Sequence, residues 1–227
     1  MNKSHLIVGG LLGAVLATAV FSAIIIPNMV ARQQQEVSGQ AVTVMSPPAL
    51  DGSVPSCELC EADYIPLSEI ENYITVAMAT GLTDQQIRSL DIGHANVQVA
   101  LAHRGPLSEP GPRSVAVHNL VTEVYVVLSG AGTNITGPHL VDALPRPDDY
   151  RAVVYLNGPG QNAEAIEAGT EVELKAGDVF IIPPGTGHQF TRIDDHITYI
   201  MVRIDPDKVV PLLDAAGSQA YLAENLP

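Results

Sequence analysis

From Asn96 onward the hydrophobic pattern repeats every second residue and is broken at short intervals by glycine or proline. Val97, Val99, Leu101 and His103 alternate with Gln98, Ala100, Ala102 and Arg104. That period belongs to a strand, whose side chains point alternately to two faces. Further strand-like runs cover residues 114–118, 122–128, 152–156, 171–174, 179–182, 188–192 and 197–204. Gly105-Pro106, Gly111-Pro112, Gly130-Ala131-Gly132, Gly158-Pro159-Gly160 and Pro183-Pro184-Gly185 punctuate them. Short strands with turn signals between them predict an all-β sandwich or barrel. Strands do not alternate with helices here, so a nucleotide-binding parallel sheet is not expected, and no Walker-type glycine loop is present.

The front of the chain follows other rules. Residues 6–31 contain no acid or base, and nineteen of these 26 residues are apolar. Lys3 precedes the run and Arg32 follows it. Residues 6–26 are long enough for a spanning helix, which needs about 20 residues. Ala17-Thr18-Ala19 also fits a signal-peptidase site. Residues 1–31 are therefore read as a signal anchor or a signal peptide. Either one exports the remainder to a periplasmic or extracellular space, tethered to the membrane if uncleaved. Residues 32–67 form a linker with Gln33-Gln34-Gln35, Pro47-Pro48 and the pair Cys57 and Cys60.

Short helices are expected over 68–95. Ser68 with Glu71 resembles a capping box, Ile70, Tyr73, Ile74, Ala77 and Met78 follow at helical spacing, and Gly81 stops the run. Thr83 with Gln86 offers a second cap, for a helix through Leu90. The barrel then covers 96–205. A tail over 206–227 has a weak helical pattern at Val209, Leu212, Leu213 and Ala216.

Charge narrows the partners. The chain has 11 Lys+Arg against 25 Asp+Glu, a net charge of −14. Nucleic acid is not an expected partner, because binding it draws on the bases this chain lacks. Trp is absent, so broad stacking platforms are missing too.

Two segments carry chemistry. One runs from His118 through Glu123 to Gly130, the other from Gly177 through Pro183 and Gly185 to His188. Two imidazoles and a carboxylate on one face can hold a divalent ion and leave positions open for small molecules. Glu123 lies among Val124, Val126 and Val127, where a carboxylate without a partner is costly.

These segments resemble the two motifs of the cupin superfamily. The first family motif reads H-x-H, three or four residues, Glu, six residues, Gly. Here His118, four residues, Glu123, six residues and Gly130 follow that order. The second reads Gly, five residues, Pro-x-Gly, two residues, His, three residues, Asn. Here Gly177, Pro183, Gly185 and His188 match it. The resemblance covers residues 96–205 and implies a double-stranded β-helix, or jelly roll, with metal ligands pointing into the barrel. Two departures stand out: Ala116 occupies the first histidine position and Arg192 the closing asparagine.

The resemblance thus implies one divalent metal ion (Fe, Mn, Zn, Ni or Cu) held by His118, Glu123 and His188. His103 either lines the pocket, replaces the missing ligand or is a satisfied core histidine. Tyr125 shares the parity of Glu123 and either donates a hydrogen bond inside or fills the core. Arg104 and Arg192 either bind an acidic substrate or pair with surface acids. Arg146 to Tyr150 lie in a rim or lid between the motifs. His94, His139 and His196 read as solvated loop residues. Cys57 and Cys60 form a disulfide or a redox pair.

The functional expectation is a metal-dependent oxidoreductase of the dioxygenase kind acting on a small molecule, with lyase or isomerase chemistry next. The alternative is a non-catalytic ligand-binding or membrane-tethered module. A homodimer through a barrel edge fits either.

Overall fold

The computed structural model describes residues 55–57 and 60–227. The expected anchor or signal peptide at 1–31 and most of the linker lie outside the described residues. Among the described residues no helix is long and apolar enough to cross a membrane.

Helix α1, Leu67–Thr80, follows Pro66, whose fixed φ suits a helix start. The expected capping box does not form: no side chain caps the first turn, and Glu69 turns inward instead. Gly81 ends the helix at φ 70, and its N–H donates to the Ala77 carbonyl. A side chain there would be strained.

The segment after Gly81 is a strand, β1, Asp84–Asp91, and not the expected second helix. Three of its four buried residues are polar, so no period of two shows in its hydrophobicity. Gln85, Arg88 and Ser89 are buried, and a bulge between Gln86 and Arg88 resets the parity. Arg88 is paired by Glu69 at 2.7 Å and Asp63 at 3.2 Å, and Gln85 donates to the Tyr73 carbonyl at 3.1 Å. Tertiary partners override local propensity here.

Two antiparallel sheets follow and share one long strand. The strands are β2 Asn96–Arg104, β3 Val115–His118, β4 Thr122–Gly137, β5 Leu140–Val141, β6 Leu144–Pro145 and β7 Gly160–Ala163. Then come β8 Ala165–Ile166, β9 Thr170–Lys175, β10 Val179–Ile182, β11 Gly187–Arg192 and β12 Ile197–Asp205. The first half of β4 lies between β12 and β10, in the order β1-β2-β12-β4-β10. Its second half lies between β9 and β11, and the sheet continues through β3, β7 and β6. Gly130, at φ 74, sits where β4 passes from one sheet to the other. A Cβ there would meet the His196 carbonyl. This is the jelly-roll arrangement that the motifs imply.

Residues 152–156 were expected to be a strand. They lie in a single π turn, Val153–Asn157, with the Val153 and Val154 N–H groups bonded to the Tyr150 carbonyl. Val153, Val154 and Tyr155 favour a strand, but β6 already covers the outer edge of β7. Helix α2, Ala215–Asn225, starts later than the tail pattern suggests. It is capped by Asp214, which accepts from the Gly217 N–H at 2.8 Å. Before it, Leu213 exchanges backbone bonds with Ser89 on β1.

The core has two parts. Ala100, Ala102, Tyr125, Val127, Phe190, Tyr199 and Met201 are among the side chains that fill the space between the sheets. Leu101, Ile87, Tyr73, Val76 and Leu222 join helices α1 and α2 to the outside of β1 and β2. The more apolar face of β2 therefore faces the helices, and the alanine face lines the barrel.

Candidate metal centre

Register brings the charged residues together. On neighbouring strands Gln98 of β2 faces Arg203 of β12, and Arg203 faces Glu123 of β4. The next inward row is Ala100, Met201 and Tyr125, and the next Ala102, Tyr199 and Val127. From the opposite sheet β3 supplies His118, and β11 supplies His188 directly opposite Ala116.

His118, Glu123 and His188 form a buried cluster whose ligand atoms all lie within 4.8 Å of one another. His118 Nε2 is 3.4 Å from Glu123 Oε1, and His188 Nε2 is 3.6 Å from Oε2. Ligands about 2.1 Å from a shared ion stand roughly 3.0–3.4 Å apart, so the residues fit a metal after small adjustments. His188 Nδ1 donates to the Thr186 carbonyl at 3.2 Å, which fixes the tautomer with the Nε2 lone pair toward Glu123. Burial first, and then the neighbouring His118, push the His188 pKa down to about 4 against the pull of Glu123. A neutral imidazole is the form a metal requires.

Glu123 is only 2% exposed. Burial acts to raise its pKa, but His118, Arg203 and His188 hold it well below the usual carboxylate range. Tyr125 donates to Oε2 at 3.0 Å, in the inward role open to it from sequence. Burial, then the Glu123 charge, raise the Tyr125 phenol well above its ordinary value, so it stays a donor.

Sequence reasoning missed two arginines. Arg203, 0% exposed, donates from Nε to Glu123 Oε1 at 2.8 Å and from Nη2 to Asp84 at 2.5 Å. Its signal was a lone base inside the apolar run 197–204, which needs an acid as Glu123 needs a base. Arg146 was read as rim. It reaches in, with Nη1 3.4 Å from His118 Nδ1 and 3.2 Å from Asn157 Oδ1. A guanidinium only donates, so Nδ1 accepts, and the His118 proton then sits on Nε2, facing Glu123.

His103 is not part of the cluster. It shares the helix-facing side of β2, bonds Thr198 Oγ1 at 2.8 Å, stacks near His196 and lines an outer cavity with Thr83 and Pro106. The replacement-ligand reading failed because the apolar face of β2 is not the barrel face. Arg104 is the inward residue, on the parity of Ala100 and Ala102, and Nε donates to the Tyr199 hydroxyl at 3.1 Å. Arg192 pairs with Asp194 on the surface. His94 and His139 are exposed, while His196 is half-buried between Ser129 and Asp195. Cys57 and Cys60 are paired, with Cα atoms 5.7 Å apart, beside the Asp91 carbonyl at the end of β1.

A cavity of about 130 Å³ adjoins the cluster, with His188, Ala116 and Tyr125 in its wall. It opens at the site that a histidine at position 116 would enter.

A family described as an AraC-like ligand binding domain matches residues 167–226, from the loop before β9 into α2. No curated protein sequence is detectably similar to the chain. A cupin protein from Bacteroides fragilis is 20% identical over 52% of this chain and 72% of its own, with a TM-score of 0.30. A cupin 2 conserved barrel domain protein from Salinispora arenicola is 15% identical over 73% of this chain and 99% of its own, with a TM-score of 0.35. The DMSP lyase DddQ from Ruegeria pomeroyi is 12% identical over 60% of this chain and 53% of its own, with a TM-score of 0.34. Identities this low carry no catalytic roles across. Strand order gives a jelly roll, the two sequence motifs meet at the cluster, and the family match covers the last part of that fold, residues 167–226.

Proposed function

We propose that the protein is an exported barrel that holds one divalent metal ion at His118, Glu123 and His188 and takes a small molecule into the adjoining cavity. One observation carries the reading: two buried imidazole Nε2 atoms converge on the two oxygens of one buried carboxylate. The similarity of residues 167–226 to a ligand-binding domain supports uptake of a small molecule.

A bound ion of the Fe, Mn, Zn, Ni or Cu series would polarise a ligand oxygen or, if redox-active, support oxidation of the dioxygenase kind. The chain's own groups do the rest. His188 stays neutral and oriented through Thr186. Tyr125 and Arg203 fix the Glu123 carboxylate from two sides. The His118 Nε2 proton must move to Nδ1 before Nε2 can ligate, and Arg146 must then give up its contact with Nδ1. Phe190, Leu107 and Pro110 limit water around the cavity. Oxidoreductase chemistry is the first assignment, followed by lyase or isomerase chemistry.

Metal analysis of the purified full chain after loading, with oxygen-consumption screening, tests the reading. One equivalent of metal, lost in His188→Ala, is expected. Less than about a tenth of an equivalent, unchanged by His188→Ala, refutes it.

A second reading is a non-catalytic ligand-binding module, tethered through residues 1–31 if these are uncleaved. It is favoured by Arg203, which already neutralises Glu123. A redox role for Cys57 and Cys60 is opposed if the pair stays oxidised under mild reductant.

A further inference from the structure

Two side chains in the barrel have bonding capacity that the His-Glu-His cluster does not use. Arg104 makes one hydrogen bond among the described residues, from Nε to Tyr199. Its guanidinium carbon stands 5.3 Å from the centre of the Phe190 ring. No carboxylate among the described residues lies within ion-pair distance of it, whereas the buried Arg88 and Arg203 each have two acidic partners and Arg146 has three uncharged ones. Asn134, on the second half of β4, is 1% exposed, and neither its amide nitrogen nor its amide oxygen has a partner. A buried polar group left unpaired forfeits its hydration with nothing in return. Such a cost in a native core calls for an occupant.

Both residues line the same 130 Å³ cavity beside His188. The space exists because residue 116 is alanine. His188 and Ala116 are direct cross-strand neighbours, so a large side chain at 116 would project into it.

We propose that this cavity binds a small hydroxycarboxylate monoanion, its carboxylate held by Arg104 and its hydroxyl by Asn134, next to the His118–Glu123–His188 cluster. The planar fork of a guanidinium matches a carboxylate. Asn134 offers a donating NH2 group and an accepting oxygen, which suits a carboxylate oxygen and a hydroxyl on adjacent carbons. The cavity wall holds one arginine and no lysine, which matches one negative charge; a dianion would leave a charge facing Glu123. The volume is that of about four waters, which limits the ligand to roughly two to four carbons. The net charge of −14 works against anions in general, so Arg104 must supply the attraction locally.

This inference rests on the metal-centre reading only for what lies beside the ligand, and the two can be tested apart. The full chain is titrated calorimetrically with lactate, propionate, lactamide and inorganic phosphate, in chelator and again after loading with Mn or Zn. Lactate should bind at least about tenfold more tightly than lactamide, and several-fold more tightly than propionate. Arg104→Met should lose lactate binding by at least about tenfold. Asn134→Leu should erase the preference for lactate over propionate and keep propionate binding.

Arg104→Met removes a partly buried charge and can weaken folding, so Asn134→Asp gives an independent check. Its carboxylate enters the same cavity as Arg104; lactate affinity should fall several-fold in protein that circular dichroism shows to be folded. Lactamide binding equal to lactate, phosphate binding tighter than lactate, or wild-type lactate affinity in folded Arg104→Met each overturns the proposal. Lactate binding seen only after metal loading and unchanged in Arg104→Met also overturns it. Metal uptake without lactate binding up to about 10 mM overturns the proposal and leaves the metal reading standing. Lactate binding that needs Arg104, in a protein that takes up no metal, supports the proposal and removes the metal reading.

Discussion

Arg203→Met should lower stability and raise metal affinity at once. Arg203 is 0% exposed and bridges Glu123 at 2.8 Å and Asp84 at 2.5 Å. Removing one partner of a buried ion pair costs about 3–5 kcal/mol, because the other charge is left uncompensated. In a domain of this size 1 kcal/mol moves Tm by about 2–4 °C, so the metal-free variant should melt roughly 10 °C below the parent. A divalent ion and a guanidinium held by one carboxylate, taken as about 5 Å apart at an effective dielectric near 20, would repel by about 7 kcal/mol before relaxation and screening. Even if most of it is dissipated, the variant should bind Zn or Mn more than about tenfold tighter, since tenfold needs only about 1.4 kcal/mol. Saturating metal should then return part of the lost stability, about 2.7 kcal/mol at a hundred times Kd. The assay is thermal unfolding with and without metal, paired with chelator competition. A folded Arg203→Met protein with unchanged metal affinity would refute the reasoning, because Glu123 would then not be a ligand.

Three further outcomes are expected. Glu69 is buried against Arg88 and Ser218; burial acts to raise its pKa, but these partners hold it below its ordinary 4.5. A lowered carboxylate pKa stabilises above about 4.5 and loses that contribution as pH falls through the folded value, so Glu69→Gln should flatten the Tm-against-pH curve below about pH 5. An unchanged slope would show that this carboxylate is not the acid-sensitive group. Ala116→His places an imidazole opposite His188 and should raise metal affinity by about tenfold or more while closing the cavity to lactate; chelator competition and calorimetry read both. Val179 and Ile181 are 61% and 62% exposed on the edge strand β10, so Val179→Lys with Ile181→Lys should leave Tm within a few degrees of the parent. A larger fall in thermal unfolding would show that these side chains are covered.

The cluster was legible in the sequence because His118, Glu123 and His188 sit at motif positions whose spacing is fixed by turns. The strand rhythm from Asn96 onward was legible for the same local reason. What failed were inferences about which face points where. On β2 the larger apolar residues pack on α1 and α2, so His103 turned outward and Arg104 inward. β1 was unreadable because its buried residues, Ile87 apart, are polar and a bulge breaks its period. Asn134 carried no local signal, since its isolation is a property of what the other strands fail to bring near it.

The single strand that runs through both sheets has a further consequence. Glu123, at the metal cluster, and Asn134, in the cavity wall, lie on β4 on either side of the turn at Gly130. Both are held by pairing with β12 and β11, each ladder interrupted by one register shift. Against β12 the extra residue on β4 is Leu128, between Val127 and Ser129, which shifts the parity between Glu123 and Asn134. A further insertion or deletion between them would slip one register against the other and turn one of the two side chains out of the barrel. The spacing of ion and ligand is thus set by that bulge. Barrels built on this plan can alter what they hold by exchanging side chains such as residue 116, or by rebuilding the loops at the mouth, and not by re-spacing these two points.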